Sequence, residues 1–102
     1  MLRRVEQRPV TGSTDAKVAG LRVAVARLRR ELAGYPAEFP DRAVAEDELA
    51  ALDAMALSGA PEVLRLRRSL LLIAGSIGSV SALSVAVKGV REAVDLFGEP
   101  PR

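Results

Sequence analysis

The sequence predicts an all-α protein: a helical hairpin followed by one long C-terminal helix, packed as a three-helix bundle and assembled as a homo-oligomer. Three observations predict it. Apolar residues recur in steps of three and four through three segments. Clusters of Gly and Pro fall between those segments, at 34–40 and 59–61. The chain is 49% hydrophobic but only 3% aromatic, so its core must be built from Leu, Val, Ile and Ala, and alanine is the strongest helix former. With 102 residues there is room for one domain.

Composition narrows the function. The chain has no Cys, no His and no Trp, which excludes a disulfide framework, a thiolate metal site and an imidazole general base. The absence of Cys fits a reducing cytoplasm. Met1-Leu2-Arg3-Arg4-Val5-Glu6 is a basic start with no apolar run behind it, unlike a secretory signal, and the expected location is cytoplasmic. The formal charge is +2, unevenly spread. Residues 1–34 hold eight Lys/Arg against three acids, net +5; residues 35–62 hold Arg42 against seven acids, net −6; residues 63–102 hold six basic residues against three acids, net +3. Blocks of alternating sign that coincide with successive helices attract one another in a bundle.

Residues 1–13, with Arg3, Arg4, Arg8, Pro9 and Gly12, show no sustained period and read as a basic, disordered arm. Ser13, Thr14 and Asp15 then offer N-cap side chains. Val18, Leu21, Val25, Leu28 and Leu32 follow in a heptad seam, predicting a helix over 14–33, about 30 Å long. Gly34 suits a left-handed helix stop and Tyr35-Pro36 follows it. Pro36 and Pro40 make the next segment a turn, from which Tyr35 and Phe39 are expected to fold back over the end of the core.

Asp41 is a candidate N-cap for a second helix over 41–58, with Val44 or Ala45, Glu48 or Leu49, then Leu52, Met55 and Ala56 on its stripe. Glu46, Asp47 and Asp53 fall on the solvent side. Ser58-Gly59 ends it. Pro61 fits the first turn of a third helix, with Glu62 favourable at the positive end of its dipole. Its seam runs Leu66, Leu70, Ile73, Ile77, Val80, with Val87, Val90, Val94 and Phe97 beyond Ser84, before Gly98 and a disordered tail at 99–102.

An unbroken helix over 61–97 is about 55 Å long, nearly twice either of the others. Either it breaks near Gly75, Gly78 or Gly89 and folds back, or a second copy covers what a short hairpin leaves bare. A glycine inside a helix costs only about 1 kcal/mol, and no Pro or Asn marks a turn between 62 and 99, which favours the second copy. The expected contact surface is Leu70, Ile73, Ala74, Ile77, Gly78, Val80, Leu83 and Val87. Its small-residue ridge of Ala74, Gly78, Ala82 and Ala86 lets another helix approach closely.

Residues 69–87 are also 19 consecutive uncharged residues flanked by Arg65, Arg67, Arg68, Lys88 and Arg91, long enough at the lower bound for a membrane span. Nine Leu, Ile and Val there contribute only a few kcal/mol to insertion, at roughly 0.3 to 0.6 kcal/mol each. Five Ser and two Gly offset much of that. A buried helix in an oligomer is the preferred reading, a membrane-associated protein that inserts residues 69–87 the alternative. In the buried helix the serines would bond to carbonyls a turn earlier or across the helix pair.

Pro36-Ala-Glu-Phe-Pro-Asp-Arg-Ala-Val-Ala-Glu-Asp-Glu-Leu-Ala-Ala-Leu52 and Arg67-Arg-Ser-Leu-Leu-Leu-Ile-Ala-Gly-Ser-Ile-Gly-Ser-Val-Ser-Ala-Leu83 resemble a family of small uncharacterised actinobacterial proteins, a domain of unknown function. The resemblance spans most of 13–98 and implies a free-standing small protein, with no activity, ligand or site attached.

No catalytic, cofactor or metal site emerges. Glu46 and Asp47 point apart on a helix and no carboxylate pair converges, so a solvated acidic face is the reading. Gly75-Ser-Ile-Gly78 lacks the Lys and the preceding strand of a phosphate loop. Arg22, Arg29 and Arg30, with Arg3, Arg4 and Arg8, would suit phosphates, but no aromatic residue is interleaved to stack on bases, and nucleic-acid binding is the third reading. The expected function is a non-enzymatic interaction or scaffolding module whose partner is a second copy of itself.

Overall fold

The computed structural model describes residues 9–38, 40–59 and 61–98. Among them are four α-helices: α1 Pro9–Gly34, α2 Arg42–Leu57, α3 Val63–Ile77 and α4 Ser84–Gly98, with a short 3₁₀ turn at Ser81–Leu83. The first two helices and their seams match the periodicity. Leu21, Val25, Leu28 and Leu32 of α1 and Ala45, Leu49, Leu52 and Ala56 of α2 are buried, and Val18 and Met55 pack partly against them. Between the two readings left open on the α2 stripe, Ala45 and Leu49 take the core positions and Val44 faces outward.

The long third helix does not form. It breaks at Gly78, and residues 84–98 fold back as α4, so the bundle has four helices and not three. The break needs neither Pro nor Asn. The Gly78 amide donates to the Ala74 carbonyl oxygen at 2.8 Å, an approach so close that a Cβ at 78 would collide with that oxygen. Val80 then turns extended, its amide bonded to Ile77 O at 3.0 Å, and the Leu83 amide bonds Val80 O at 3.0 Å to start the return. The driving force is burial. Folding back brings Leu83, Val87, Val90 and Val94 into the same core as Leu66, Leu70, Ile73 and Ile77 within one chain, and each large aliphatic side chain so buried gains about 2 kcal/mol over exposure.

Other boundaries move less. α1 starts at Pro9, inside the expected arm, since proline's fixed φ and missing N–H suit a first helical turn. The rest of that arm, residues 1–8, lies outside the described residues, as do the tail 99–102 and Phe39. Tyr35 is half-buried. Gly34 ends α1 without the expected left-handed conformation; among the described glycines only Gly59, in the α2–α3 turn, has positive φ, at 85°. Asp41 sits at the α2 N-cap position, but its side chain makes no capping bond, and Ala45 N bonds its backbone oxygen at 3.1 Å. α3 begins at Val63, with Glu62 as N-cap, just after Pro61.

Neighbours in the ring α1–α2–α3–α4 pack side by side, and the ring closes through α4 on α1. The short connections make sequential helices antiparallel. Arg22 meeting Asp53 and Arg42 meeting Leu32 fix that direction for α1 and α2. The core is one aliphatic cluster fed by all four helices.

Candidate interaction surface

The eight residues expected to meet a second copy divide into two groups. Leu70, Ile73, Ile77, Leu83 and Val87 are buried in the core of their own chain. Ala74 and Val80 are half-buried and Gly78 is exposed. Ala74 and Gly78 line a shallow groove of about 350 Å³ between α3 and α4, with Ser84, Lys88, Arg91 and Glu92 on its rim. Of the ridge, Ala74 and Gly78 border this groove and Ala86 is buried in α4, while Ala82 is exposed.

The outer surface of α3 presents what the seam template passed over. Leu64 is 79% exposed and Leu71 71%; seven residues apart, they stand one above the other on the same side of the helix, and Leu72 beside them is 41% exposed. The sequence signal was there: Leu70-Leu71-Leu72 is an apolar run in which a helix can bury only one or two members, so the others must face outward. Arg65, Arg67 and Arg68 flank the leucines, all exposed. Beside this strip, toward α2, lies a groove of about 460 Å³ lined by Ala51, Ala54, Met55 and Leu72, with Glu48 at one end and Arg65 and Arg68 at the other. Ser69, 95% buried within α3, lines it as well.

Polar contacts concentrate on α1 and α2. Arg22 Nε lies 3.2 Å from Asp53 Oδ1, Arg27 Nε 2.9 Å from Glu31 Oε2, and Arg42 Nε 3.4 Å from Glu46 Oε2. Arg42, only 17% exposed, also donates from Nη1 to the carbonyls of Tyr35 at 3.0 Å and Ala37 at 3.2 Å, and from Nη2 to that of Leu32. Its guanidinium thereby closes the C-terminus of α1, where carbonyls lack partners within the helix and the dipole is negative. Sequence reading counted Arg42 as the lone cation of the acidic block without seeing its task; a single basic residue just past a helix stop was the available signal. The expected back-bonding of serines is present: Ser76 Oγ donates to Leu72 O at 2.6 Å and Ser84 Oγ to Ser81 O at 2.9 Å.

No group of three or more acidic side chains able to hold a metal ion converges among the described residues. Residues 69–87 are divided between α3, the turn and α4, and no helix among the described residues is long and apolar enough to cross a membrane. The break at Gly78 leaves α3 at 15 residues, about 22 Å, against a hydrocarbon core of about 30 Å.

Residues 10–98 match DUF5955, a family of unknown function. The chain belongs to DUF5955. The match takes in all of α2, α3 and α4 and all but the first residue of α1, so the DUF5955 domain and the four-helix ring coincide. No curated protein and no solved structure matches the chain.

Proposed function

We propose that this DUF5955 chain is a non-enzymatic protein–protein interaction module that self-associates and scaffolds through the outer face of α3. One observation carries the reading: Leu64 and Leu71, aligned on one side of α3, are 79% and 71% exposed, with Leu72 adjoining. Three large aliphatic side chains on one face, framed by arginines, make an apolar patch of the kind that marks a contact site. The contact surface inferred from the sequence thus shifts outward by one helix face, from Leu70, Ile73 and Ile77 to Leu64, Leu71 and Leu72.

Light scattering on the purified protein in detergent-free buffer tests it. The expected molar mass exceeds that of one chain, and Leu71→Asp and Leu64→Asp are expected to bring it down to one chain while helical content stays unchanged. A wild-type protein that remains a single chain at all concentrations would overturn the reading, as would a mass that neither variant alters.

A further inference from the structure

We infer that two copies join about a two-fold axis through the α2–α3 face, the acidic N-terminal half of α2 in each copy seated against the basic N-terminal half of α3 in the other. This rests on the self-association proposed above and adds its surface and its register.

The charges on this face are unneutralised within the chain. Asp47 is exposed and Glu48 half-buried on α2, and Arg65 and Arg68 are exposed on α3. Among the described residues none of these four side chains forms an ion pair or a hydrogen bond, whereas Asp53 of the same α2 is held by Arg22 of α1. The reason is directional. α2 and α3 are antiparallel neighbours, so the N-terminal half of one lies at the opposite end of the face from the N-terminal half of the other. The groove between them runs from Ala54 and Arg65 near the connecting turn to Glu48 and Leu72 at the far end. Counted along the helices, acids and arginines are offset by roughly 6 to 12 Å, beyond the reach of a direct ion pair.

A second copy removes that separation. A two-fold axis lying obliquely across the face sets the acidic end of each copy on the basic end of the other, and both pairings form at once. Head-to-tail stacking would satisfy only one pairing per copy and leave a charged end open. Around the charged groups the surface suits close contact: Ala51 and Ala54 are small, and Leu64, Leu71 and Leu72 supply apolar area. An anionic membrane is a poorer match, because Asp47 and Glu48 would face the same negative surface as the leucines. Nor does net charge oppose pairing of copies, at a formal +2 each.

Charge reversal tests the register. Three full-length variants are compared with wild type by sedimentation equilibrium: Arg65→Glu with Arg68→Glu, Asp47→Lys with Glu48→Lys, and all four together. Each two-site variant alone is expected to self-associate at least about tenfold more weakly. A mixture of the two is expected to form a mixed dimer, and the four-site variant to recover most of the wild-type affinity. Amide hydrogen exchange on wild type at low and high concentration reads the same surface without any substitution, with concentration-dependent protection expected over 47–54 and 64–72. If wild type self-associates but reversal changes nothing, the mixture stays unmixed, or protection falls on other helices, this docking mode is wrong while self-association stands. A wild type that never self-associates overturns both.

Discussion

In the first hairpin, α1 and α2 are tied by polar contacts: Arg22 reaches across to Asp53, and Arg42 closes the end of α1 through carbonyls on either side of Pro36. In the second, α3 and α4 share no ion pair among the described residues, and the connection is Gly78-Ser79-Val80 followed by a 3₁₀ turn. Both hairpins are antiparallel and feed the same core. One connection is stiffened by proline and held by charge; the other turns because it is small, and it stays turned because Ile73, Ile77, Val87 and Val90 are all buried in the common core. A turn written in local chemistry and a turn imposed by burial can thus look equally well formed once folded.

Substitutions in the two hairpins should therefore differ in size and sign. The largest effect is expected at Ile73, fully buried in the second hairpin: Ile73→Ala should cost about 3 kcal/mol in urea unfolding followed by circular dichroism. Next comes Gly78→Ala, whose new Cβ meets the Ala74 carbonyl oxygen and forces the last turn of α3 open, at about 2 kcal/mol. Gly75→Ala, three residues earlier in open space within α3, should instead raise stability by about 0.5 to 1 kcal/mol. Equal effects at 75 and 78 would mean that the second connection is not held by the close approach at Gly78.

In the first hairpin, Arg42→Met keeps the length of the side chain but removes its donors. It should cost about 1.5 kcal/mol, and Arg42→Lys should recover only part of that, because an ammonium cannot fork across three carbonyls. The smallest effect belongs to Arg22–Asp53, a partly exposed pair. A double-mutant cycle with Arg22→Ala and Asp53→Ala should give a coupling of about 0.5 kcal/mol or less, shrinking as salt is added. A coupling above that of the Arg42 contacts would reverse the ranking within this hairpin.

Much of the fold was legible. The seams of α1 and α2, the turns at Tyr35–Pro40 and Ser58–Gly59, and the apolar positions of α3 and α4 follow from spacing, because a helix lying on a core must repeat its apolar residues every three or four positions. Two features were not. Arg42 forms its capping bonds with residues five to ten positions earlier, and hydropathy carries no trace of such a reach. The burial of Leu70, Ile73, Ile77, Leu83 and Val87 within their own chain was the second, because it depends on the break at Gly78. With one long helix, Leu70, Ile73 and Ile77 face outward in search of a cover; with two, they face inward, and Leu64 and Leu71 are left outside.

The sequence by itself determined that the chain is helical, where its apolar seams run, and that no thiol or imidazole chemistry is available to it, since periodicity and composition are local properties. Only the tertiary structure decided that residues 63–98 double back, which helix covers which, and which leucines remain exposed. Whether a glycine continues a helix or ends it differs by only about 1 kcal/mol locally, and burial of an entire apolar face against α1 and α2 outweighs that difference several times over.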